Sequence, residues 1–183
     1  MRSIVMYPNA ILRKKVLAVK SVDEVVDDIA DLREVLEASE NGAGLASTQL
    51  GIEKRFLGLK NNKKVEVLVN PKILGVYGQK VYPVMVGKDE KDDDFLEGCL
   101  SFPDLYGTVK RYLKIEAVWQ EIDGNKLVDK KKTMSGLEAI VFQHELDHLD
   151  GILFIDHIKR DGGKFYKFIG DKKIPWDVEK LIG

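Results

Sequence analysis

The order of secondary-structure patterns along the 183-residue chain predicts an α+β fold. Three observations lead to this class. Apolar residues recur at helical spacing near the N-terminus, strand-like stretches fill the middle of the chain, and a second apolar-periodic segment, Leu137 to Leu149, predicts another helix. The length suits one compact domain, and no composition shift marks a second one, so we expect a single domain over residues 1–183.

The first predicted helix runs from Val22 to Ala38. Asp and Glu fill the positions between its apolar residues, so the helix is amphipathic. It stops at Asn41-Gly42-Ala43-Gly44, where two glycines within three residues indicate backbone that takes unusual dihedral angles or approaches another group closely. Its apolar positions are Val22, Val25, Val26, Ile29, Leu32, Val35 and Leu36.

The middle of the chain is predicted to be mainly β. A charged run, Lys88 to Asp94, interrupts it and is typical of a solvated loop. Further on, Leu113, Ile115, Ala117 and Trp119 alternate with other residues. The turn Asp123-Gly124-Asn125 then predicts a β-hairpin that returns through Lys126 to Val128. The other expected strands are Arg55–Leu59, Val65–Val69, Val81–Val86 and Phe95–Leu100.

The second helix is expected to begin with Ser135 as its N-cap residue, although Gly136 weakens that start. After Gly151, the run Ile152-Leu153-Phe154-Ile155 has the composition of an extended, buried segment. Pro175 and Trp176 indicate a tail that lies on the body of the protein.

Charge and cysteine content exclude several classes of protein. The 29 basic and 30 acidic residues leave a formal charge of -1, so the overall electrostatics predict neither nucleic acid nor an anionic membrane as a partner. No stretch approaches 18 uninterrupted apolar residues, so no membrane span is expected. The single cysteine excludes an internal disulfide, and the N-terminus reaches Pro8 before any signal-length apolar stretch, so a cytoplasmic setting is expected.

The most informative motif is His144-Glu145-Leu146-Asp147-His148 in the second helix. Histidines four residues apart lie on one face of a helix, and a glutamate beside them makes a metal site with its own base. The pattern therefore predicts a hydrolytic metalloenzyme. Because the motif is short, two surface histidines on a helix are the alternative interpretation.

The third ligand decides the class of metalloenzyme. A metzincin protease needs a third histidine where Phe154 stands and a methionine downstream, and the chain has none after Met134. A protease with a glutamate as its third metal ligand needs that residue further along the chain, and Glu179 is the only glutamate after Glu145. His157 remains a candidate, but Cys99 is the stronger one, because a thiolate suits Fe(II) or Zn(II). The alternative for Cys99 is an inert buried thiol.

Three ordered segments closely resemble the signature motifs of the peptide deformylases. They are Gly42-Ala43-Gly44-Leu45-Ala46-Ser47-Thr48-Gln49, Glu97-Gly98-Cys99-Leu100-Ser101 and Gln143-His144-Glu145-Leu146-Asp147-His148. The resemblance runs from Tyr7-Pro8 to about Asp156, and none is visible beyond Ile158. It implies small mixed or antiparallel β-sheets packed around a central helix that carries the histidine pair, together with an N-terminal amphipathic helix.

The resemblance also implies an activity, which is hydrolysis of the N-formyl group from the initiator methionine of nascent polypeptides, with release of formate. Metal ligands would be Cys99, His144 and His148, and Glu145, which lies next to a ligand, would be the general base. The Gln49 side chain and the backbone NH of Leu100 would stabilise the oxyanion. Substrate-binding positions would be Ala43, Gly44, Phe95, Gly98, Leu137, Ile140 and Val141.

The implied cofactor is one divalent ion, Fe(II) in the cell, with Zn or Ni able to occupy the site in isolated protein. The implied partners are N-formylmethionyl nascent peptides, with transient proximity to the ribosome. Two other functions stay open on the residues alone: a metalloprotease that cleaves ordinary peptide bonds, and a non-catalytic metal-binding protein. Intact Glu145 and Gln49 argue against the second of these.

Overall fold

The computed structural model describes residues 2–61, 64–84 and 94–182, and in these ranges nine strands form two antiparallel sheets. The larger sheet has the order β1-β2-β3-β6-β7 and the smaller one the order β4-β5-β8-β9. The strands are β1 Gly44–Ala46, β2 Phe56–Asn61, β3 Lys64–Tyr77, β4 Glu97–Cys99, β5 Phe102–Gly107, β6 Lys114–Asp123, β7 Lys126–Ser135, β8 Phe165–Ile169 and β9 Lys172–Pro175.

Four α-helices accompany these strands in the described part of the chain. They are α1 Val26–Ala38, α2 Leu137–Leu149, α3 Phe154–Asp161 and α4 Glu179–Ile182. Short 3-10 helices cover Ala10–Arg13, Val22–Glu24 and Ser47–Leu50. Each of the helices in residues 2–61, 64–84 and 94–182 is too short or too polar to traverse a bilayer.

The five-stranded sheet is covered on both faces. Phe56 packs with α1 residues such as Leu32 and Leu36, whereas its neighbour Leu57 packs with Phe142 of α2. Successive side chains of a strand point to opposite faces, so a strand between two helices is apolar at consecutive positions. The α2 helix is therefore held against the sheet by a buried core of its own, which fixes the position of the histidine pair.

The smaller sheet has its own core, in which Phe102 of β5 and Phe165 of β8 pack against Phe154 and Ile158 of α3. Trp176 packs at the edge of this cluster, as expected for a C-terminal tail that lies on the body of the protein. The predicted α+β class, with an N-terminal amphipathic helix and antiparallel sheets around the histidine-bearing helix, is confirmed.

Two local predictions are wrong. Ser135 does not cap α2, because it pairs with Lys114 as the last residue of β7 and Gly136 takes the N-cap position. Phe154 and Ile155 begin α3 instead of extending a strand. There Asp156 accepts a hydrogen bond from the backbone NH of Leu153 and so caps the new helix.

Other boundaries differ from the expected ones. The first α-helix starts at Val26, after a 3-10 turn, and β4 covers only three of the six residues expected to be extended. Val81 and Val84 form isolated bridges, while 85–86 of that expected strand and 88–93 of the charged run lie outside the described residues. The hairpin through Asp123-Gly124-Asn125 is confirmed, with Asp123 opposite Lys126.

Truncation of Leu32 tests how α1 is held on the sheet. Leu32 is completely buried, so Leu32→Ala should lower the free energy of unfolding by about 2–5 kcal/mol through lost apolar contacts and a cavity. Leu74→Ala is the matched control, because Leu74 is 57% exposed, and it should change stability by less than about 0.5 kcal/mol. Urea denaturation measures both, and equal losses would contradict this packing.

Candidate metal centre

The three predicted ligands converge in the folded chain. Ligand atoms of Cys99, His144 and His148 all lie within 4.8 Å of one another. The thiol stands at the end of β4, and the histidines occupy one face of α2, as the four-residue spacing predicts. Cys99 Sγ is 3.2 Å from Nε2 of His148. His157, the alternative ligand, lies elsewhere, with its Nε2 on Asp147.

The donor set fits one divalent transition-metal ion. A thiolate and two imidazoles suit Fe(II), Zn or Ni, and three protein ligands leave one coordination position for water or substrate. His144 uses Nδ1 to donate to Glu97 Oε2 at 2.9 Å, which leaves its Nε2 to serve as the ligand. Among the described residues, Oε2 of Glu145 is buried and has no hydrogen-bond partner. A buried polar atom in this state is the kind that a bound water or substrate satisfies.

A buried ionic network surrounds the ligands. Arg111 donates through Nε and Nη2 to the two carboxylate oxygens of Glu97, at 2.7 and 2.9 Å. Its Nη1 donates to Asp147 Oδ2 at 2.5 Å. Asp147 also accepts from Nε2 of His157 at 2.8 Å. The network thus connects β4, α2 and α3 and holds the ring of His144 in one orientation.

The cationic side chains of this network keep its two carboxylates, Glu97 and Asp147, ionised. Burial alone would raise the pKa of Glu97, but Arg111 and then His144 lower it to about 2, so this carboxylate stays ionised. The same opposition applies to Asp147, where burial raises the pKa and His157 and Arg111 lower it to about 2. Burial lowers the pKa of His148 well below its usual value, and His144 lowers it further. A neutral imidazole is the form that binds a metal.

The base candidate has a different environment. Burial raises the pKa of Glu145 to about 7, and the carboxylates of Glu97 and Asp147 add to this rise against the opposing effect of His144 and Arg111. A carboxyl group with a pKa near neutrality can accept and return a proton at physiological pH. The arrangement is therefore suited to general acid–base chemistry at the metal ligands.

Gln49 approaches the metal ligands from the other side. It lies in the 3-10 helix that follows β1, and its Oε1 accepts from the backbone NH of Ala46 at 2.8 Å. This contact turns Nε2 toward the centre, where it lies 3.4 Å from Cys99 Sγ and 3.2 Å from Ser101 Oγ. The amide donor is thus held in a fixed direction beside the thiol.

A cavity of about 570 Å³ opens next to these groups. All seven predicted substrate positions line it, as do Gln49, Cys99, Leu100, His144 and Glu145. Ile140 is buried at 5% exposure, and Leu137 is 57% exposed, so the cavity runs from an apolar interior to an open rim. The structure brings these residues together, and their roles in binding a substrate stay predictions. The seven positions are Ala43, Gly44, Phe95, Gly98, Leu137, Ile140 and Val141.

Two of these positions require glycine because neighbouring side chains come so close. A Cβ at Gly44 would lie 2.6 Å from the carboxylate of Glu145, and one at Gly98 would lie 2.5 Å from the ring of Tyr106. The absence of a side chain lets Glu145 pack against the backbone of β1 and Tyr106 against the backbone of β4 at the cavity. Both strands are also edges of their sheets, as far as the described ranges show.

Sequence reasoning missed Arg111 and the roles of Glu97 and Asp147. Glu97 and Asp147 are part of the quoted motifs, but nothing in their spacing indicates that a distant arginine joins them. Arg111 comes from a segment with no motif, between β5 and β6, and at 2% exposure it is among the most buried side chains. A charged residue of this kind is recognisable only after its partners are placed around it.

The fold and the donor set define a metal-dependent hydrolase: a helix with two histidines, a strand with a thiol, a buried carboxylate and an adjacent cleft. Comparison with known proteins narrows this class. The profile of the family Polypeptide deformylase matches residues 1–163. Peptide deformylase 2 of Clostridium acetobutylicum is 37% identical over 157 residues, which are 85% of this chain and 94% of that protein. The peptide deformylase of Aquifex aeolicus is 36% identical over 165 residues, with 86% and 88% covered.

Solved structures agree with the sequence matches. The peptide deformylase of Thermotoga maritima superposes with a TM-score of 0.72 at 30% identity, covering 86% of this chain and 97% of that one. The Legionella pneumophila enzyme gives a TM-score of 0.70 at 31% identity, with coverages of 86% and 85%. This chain belongs to the peptide deformylase family.

Replacement of Arg111 tests the buried network. Arg111→Met leaves Glu97 and Asp147 without their cationic partner, so the free energy of unfolding should fall by about 3–5 kcal/mol. Lys132→Met is the control, because Lys132 pairs with Glu138 at the surface and should cost less than about 1 kcal/mol. Both values come from denaturant unfolding, and a loss below 1 kcal/mol for Arg111→Met would count against the network.

Proposed function

We propose that this chain removes the N-formyl group from the initiator formyl-methionine of nascent polypeptides and releases formate. The observation that carries the proposal is the convergence of three groups at one end of an open cleft: the Cys99, His144 and His148 ligand set, the carboxylate of Glu145 and the amide of Gln49. Membership of the deformylase family supports the same activity.

Cys99, His144 and His148 would hold one divalent ion, Fe(II) in the cell and Zn or Ni in isolated protein. An ion bound by such ligands lowers the pKa of water and polarises a carbonyl oxygen. Glu97 fixes the ring of His144 through Nδ1 and so orients one ligand before any ion binds. The protein's own contribution is therefore a preformed ligand geometry.

Glu145 acts as general base and then as general acid. Its Oε2 is buried without a partner among the described residues and is available to take a proton from the attacking water. With a pKa near 7 the carboxyl group can then deliver that proton to the departing amine of methionine. The same atom thus receives the proton and returns it.

Gln49 and Leu100 stabilise the oxyanion. The hydrogen bond that Gln49 Oε1 accepts from the backbone NH of Ala46 directs Nε2 of Gln49 toward the metal ligands. The backbone NH of Leu100 belongs to the residue that directly follows the thiol ligand Cys99. Donors held in place before the reaction lower the energy of the developing negative charge. A formyl group is small. Few contacts besides these donors and the metal ligands are therefore needed around the carbon that reacts.

The peptide binds as an added strand. The cavity lies between β1 and β4, and each is an edge strand of its sheet over the described residues. An extended chain placed there gains main-chain hydrogen bonds without any sequence requirement. The methionine side chain enters the apolar part of the cavity formed by Ile140, Val141 and Phe95, with Leu137 and Ala43 at the rim.

The proposed substrates are nascent chains, so the protein would act in the cytoplasm and come transiently close to the ribosome. The whole chain, 1–183, would be one catalytic domain. A metalloprotease is the alternative within the same chemistry, and it differs in the bond that is cleaved.

Replacement of Glu145 separates metal binding from catalysis. Protein prepared anaerobically with Fe(II) should keep its metal in Glu145→Ala, because the three ligands remain, while formate release from formyl-Met peptides falls at least about 100-fold. Metal content and formate are measured on the same samples.

Glu138→Gln is the matched control, since Glu138 lies on the same helix and pairs with Lys132 away from the cavity lining. It should keep both metal and activity. Wild-type protein that holds metal but releases no formate would refute the proposed function, and cleavage of unformylated peptides would favour the protease.

A further inference from the structure

Strand β5 carries a bulge beside the metal ligands. Its pairing with β4 shifts between Gly98 and Cys99, so that residues 103–105 of β5 have no partner on β4. Asp104 is the middle residue of this bulge, and it belongs to the lining of the cavity. Bulges redirect side chains and are common next to active sites. The irregular strand thus places one carboxylate at the cavity that holds the ligands.

The backbone of Asp104 has an unusual conformation. In the described part of the chain only Asn70 and Asp104 combine a side chain with a left-handed backbone, and the φ of Asp104 is 62°. This conformation costs free energy for any residue with a Cβ, although Asn and Asp tolerate it best. Asn70 offsets the cost through hydrogen bonds with the backbone of Val19. Asp104 is exposed, and among the described residues its carboxylate has neither a hydrogen bond nor an ion pair, so no contact within the protein accounts for its placement.

Asp104 is also the one exposed charged side chain in the cavity lining that the structure describes. The other two carboxylates of the lining, Glu97 and Glu145, are buried, and Glu97 is paired with Arg111. The remaining exposed lining residues are uncharged, and no lysine or arginine belongs to the described lining. The mouth of the cavity therefore has a negative charge that no cation of the lining balances.

A formylated peptide brings charge to this mouth only through its side chains, because the formyl group removes the positive charge of the α-amino group. With the formyl end at the metal ligands and the methionine side chain in the apolar interior, the next residues leave through the mouth, where the exposed lining residues lie. A cavity of about 570 Å³ is about 10 Å across, which is about one Debye length at 0.1 M ionic strength. A charge on these residues therefore interacts with Asp104 without a dedicated pocket.

We propose that Asp104 selects among formylated peptides by charge, favouring lysine or arginine at the second to fourth positions and disfavouring aspartate or glutamate there. This inference rests on the proposed function. An exposed pair of opposite charges changes a binding constant by up to about fivefold, and repulsion between like charges acts in the opposite direction. Asp104 is thus a specificity-determining residue that leaves the methionine end of the substrate to the rest of the cavity.

The test compares kcat/KM of the nickel-loaded protein for amidated formyl-Met tetrapeptides in which lysine, glutamine or glutamate occupies position two, three or four and alanine fills the rest. At low ionic strength the wild-type protein should prefer lysine over glutamate by about fivefold at one or more positions, with glutamine between them. In about 0.5 M NaCl the ratio should fall below about twofold, because salt screens exposed charges.

Asp104→Asn removes the charge and keeps a residue type that tolerates the left-handed backbone, and it should reduce the lysine-to-glutamate ratio to less than about twofold. Asp104→Lys should invert the ratio. Asp123→Asn is the matched control, because Asp123 is an exposed residue at the β6–β7 turn, outside the cavity lining, and its replacement changes the net charge equally. It should keep the lysine preference. Thermal unfolding of the three variants checks the fold.

The outcomes separate the two claims. Formate release with equal kcat/KM for lysine, glutamine and glutamate at all three positions overturns the charge selection and leaves the proposed function standing. A lysine preference that survives in folded Asp104→Asn, or one that is lost equally in Asp123→Asn, assigns the effect to other charges and also overturns it. Failure of the wild-type protein to release formate from any of these peptides overturns both claims.

Discussion

The bidentate pair between Arg111 and Glu97 is the interaction on which the rest of the site depends. Glu97 begins the strand that carries Cys99, and the same carboxylate accepts from Nδ1 of His144. Arg111 also reaches Asp147, one residue before His148. One guanidinium thus ties the strand with the thiol to the helix with the two imidazoles, and a small shift of either element would separate the ligands.

Burial of such a network costs desolvation free energy, and this cost is offset only when every charge is paired. Glu97 is 4% exposed and Arg111 is 2% exposed, and removal from water penalises both ions. Bidentate geometry and the additional contacts to His144 and Asp147 offset that penalty. The benefit is orientation more than stability, because the ring of His144 is fixed before a metal ion binds. Glu145 has a raised pKa, and its Oε2, which has no hydrogen-bond partner among the described residues, stays available to accept a proton.

Sequence patterns predicted the parts of the fold that are local. Leu32 and Leu36 recur at helical spacing, and Gly124 marks a turn that depends only on neighbouring residues. The existence and type of α1 and of the β6–β7 hairpin were therefore predicted correctly. The four apolar residues from Ile152 suit a buried helix as well as a strand, and in the structure Asp156 caps the helix α3 that begins at Phe154. Arg111 depends on partners 14 and 36 residues away in sequence, which no periodicity can reveal.

The candidate site divides in the same way. His144 and His148 follow from spacing on one helix, and Cys99 from the chemistry of a lone thiol together with family resemblance. The pairing of Tyr106, at the cavity, with Tyr166 depends on the β5–β8 register, which brings together residues on either side of two helices. Contacts that depend on strand pairing over such distances are not encoded in any short window of sequence.

The metal site described above has one thiolate and two imidazoles as its protein ligands. X-ray absorption spectroscopy of the zinc-loaded protein measures this coordination directly. We expect one Zn–S distance of about 2.3 Å and two Zn–N distances of about 2.0–2.1 Å, with the sulfur contribution absent in Cys99→Ser. A zinc shell of nitrogen and oxygen only, unchanged by that substitution, would contradict the assignment of Cys99 as a ligand.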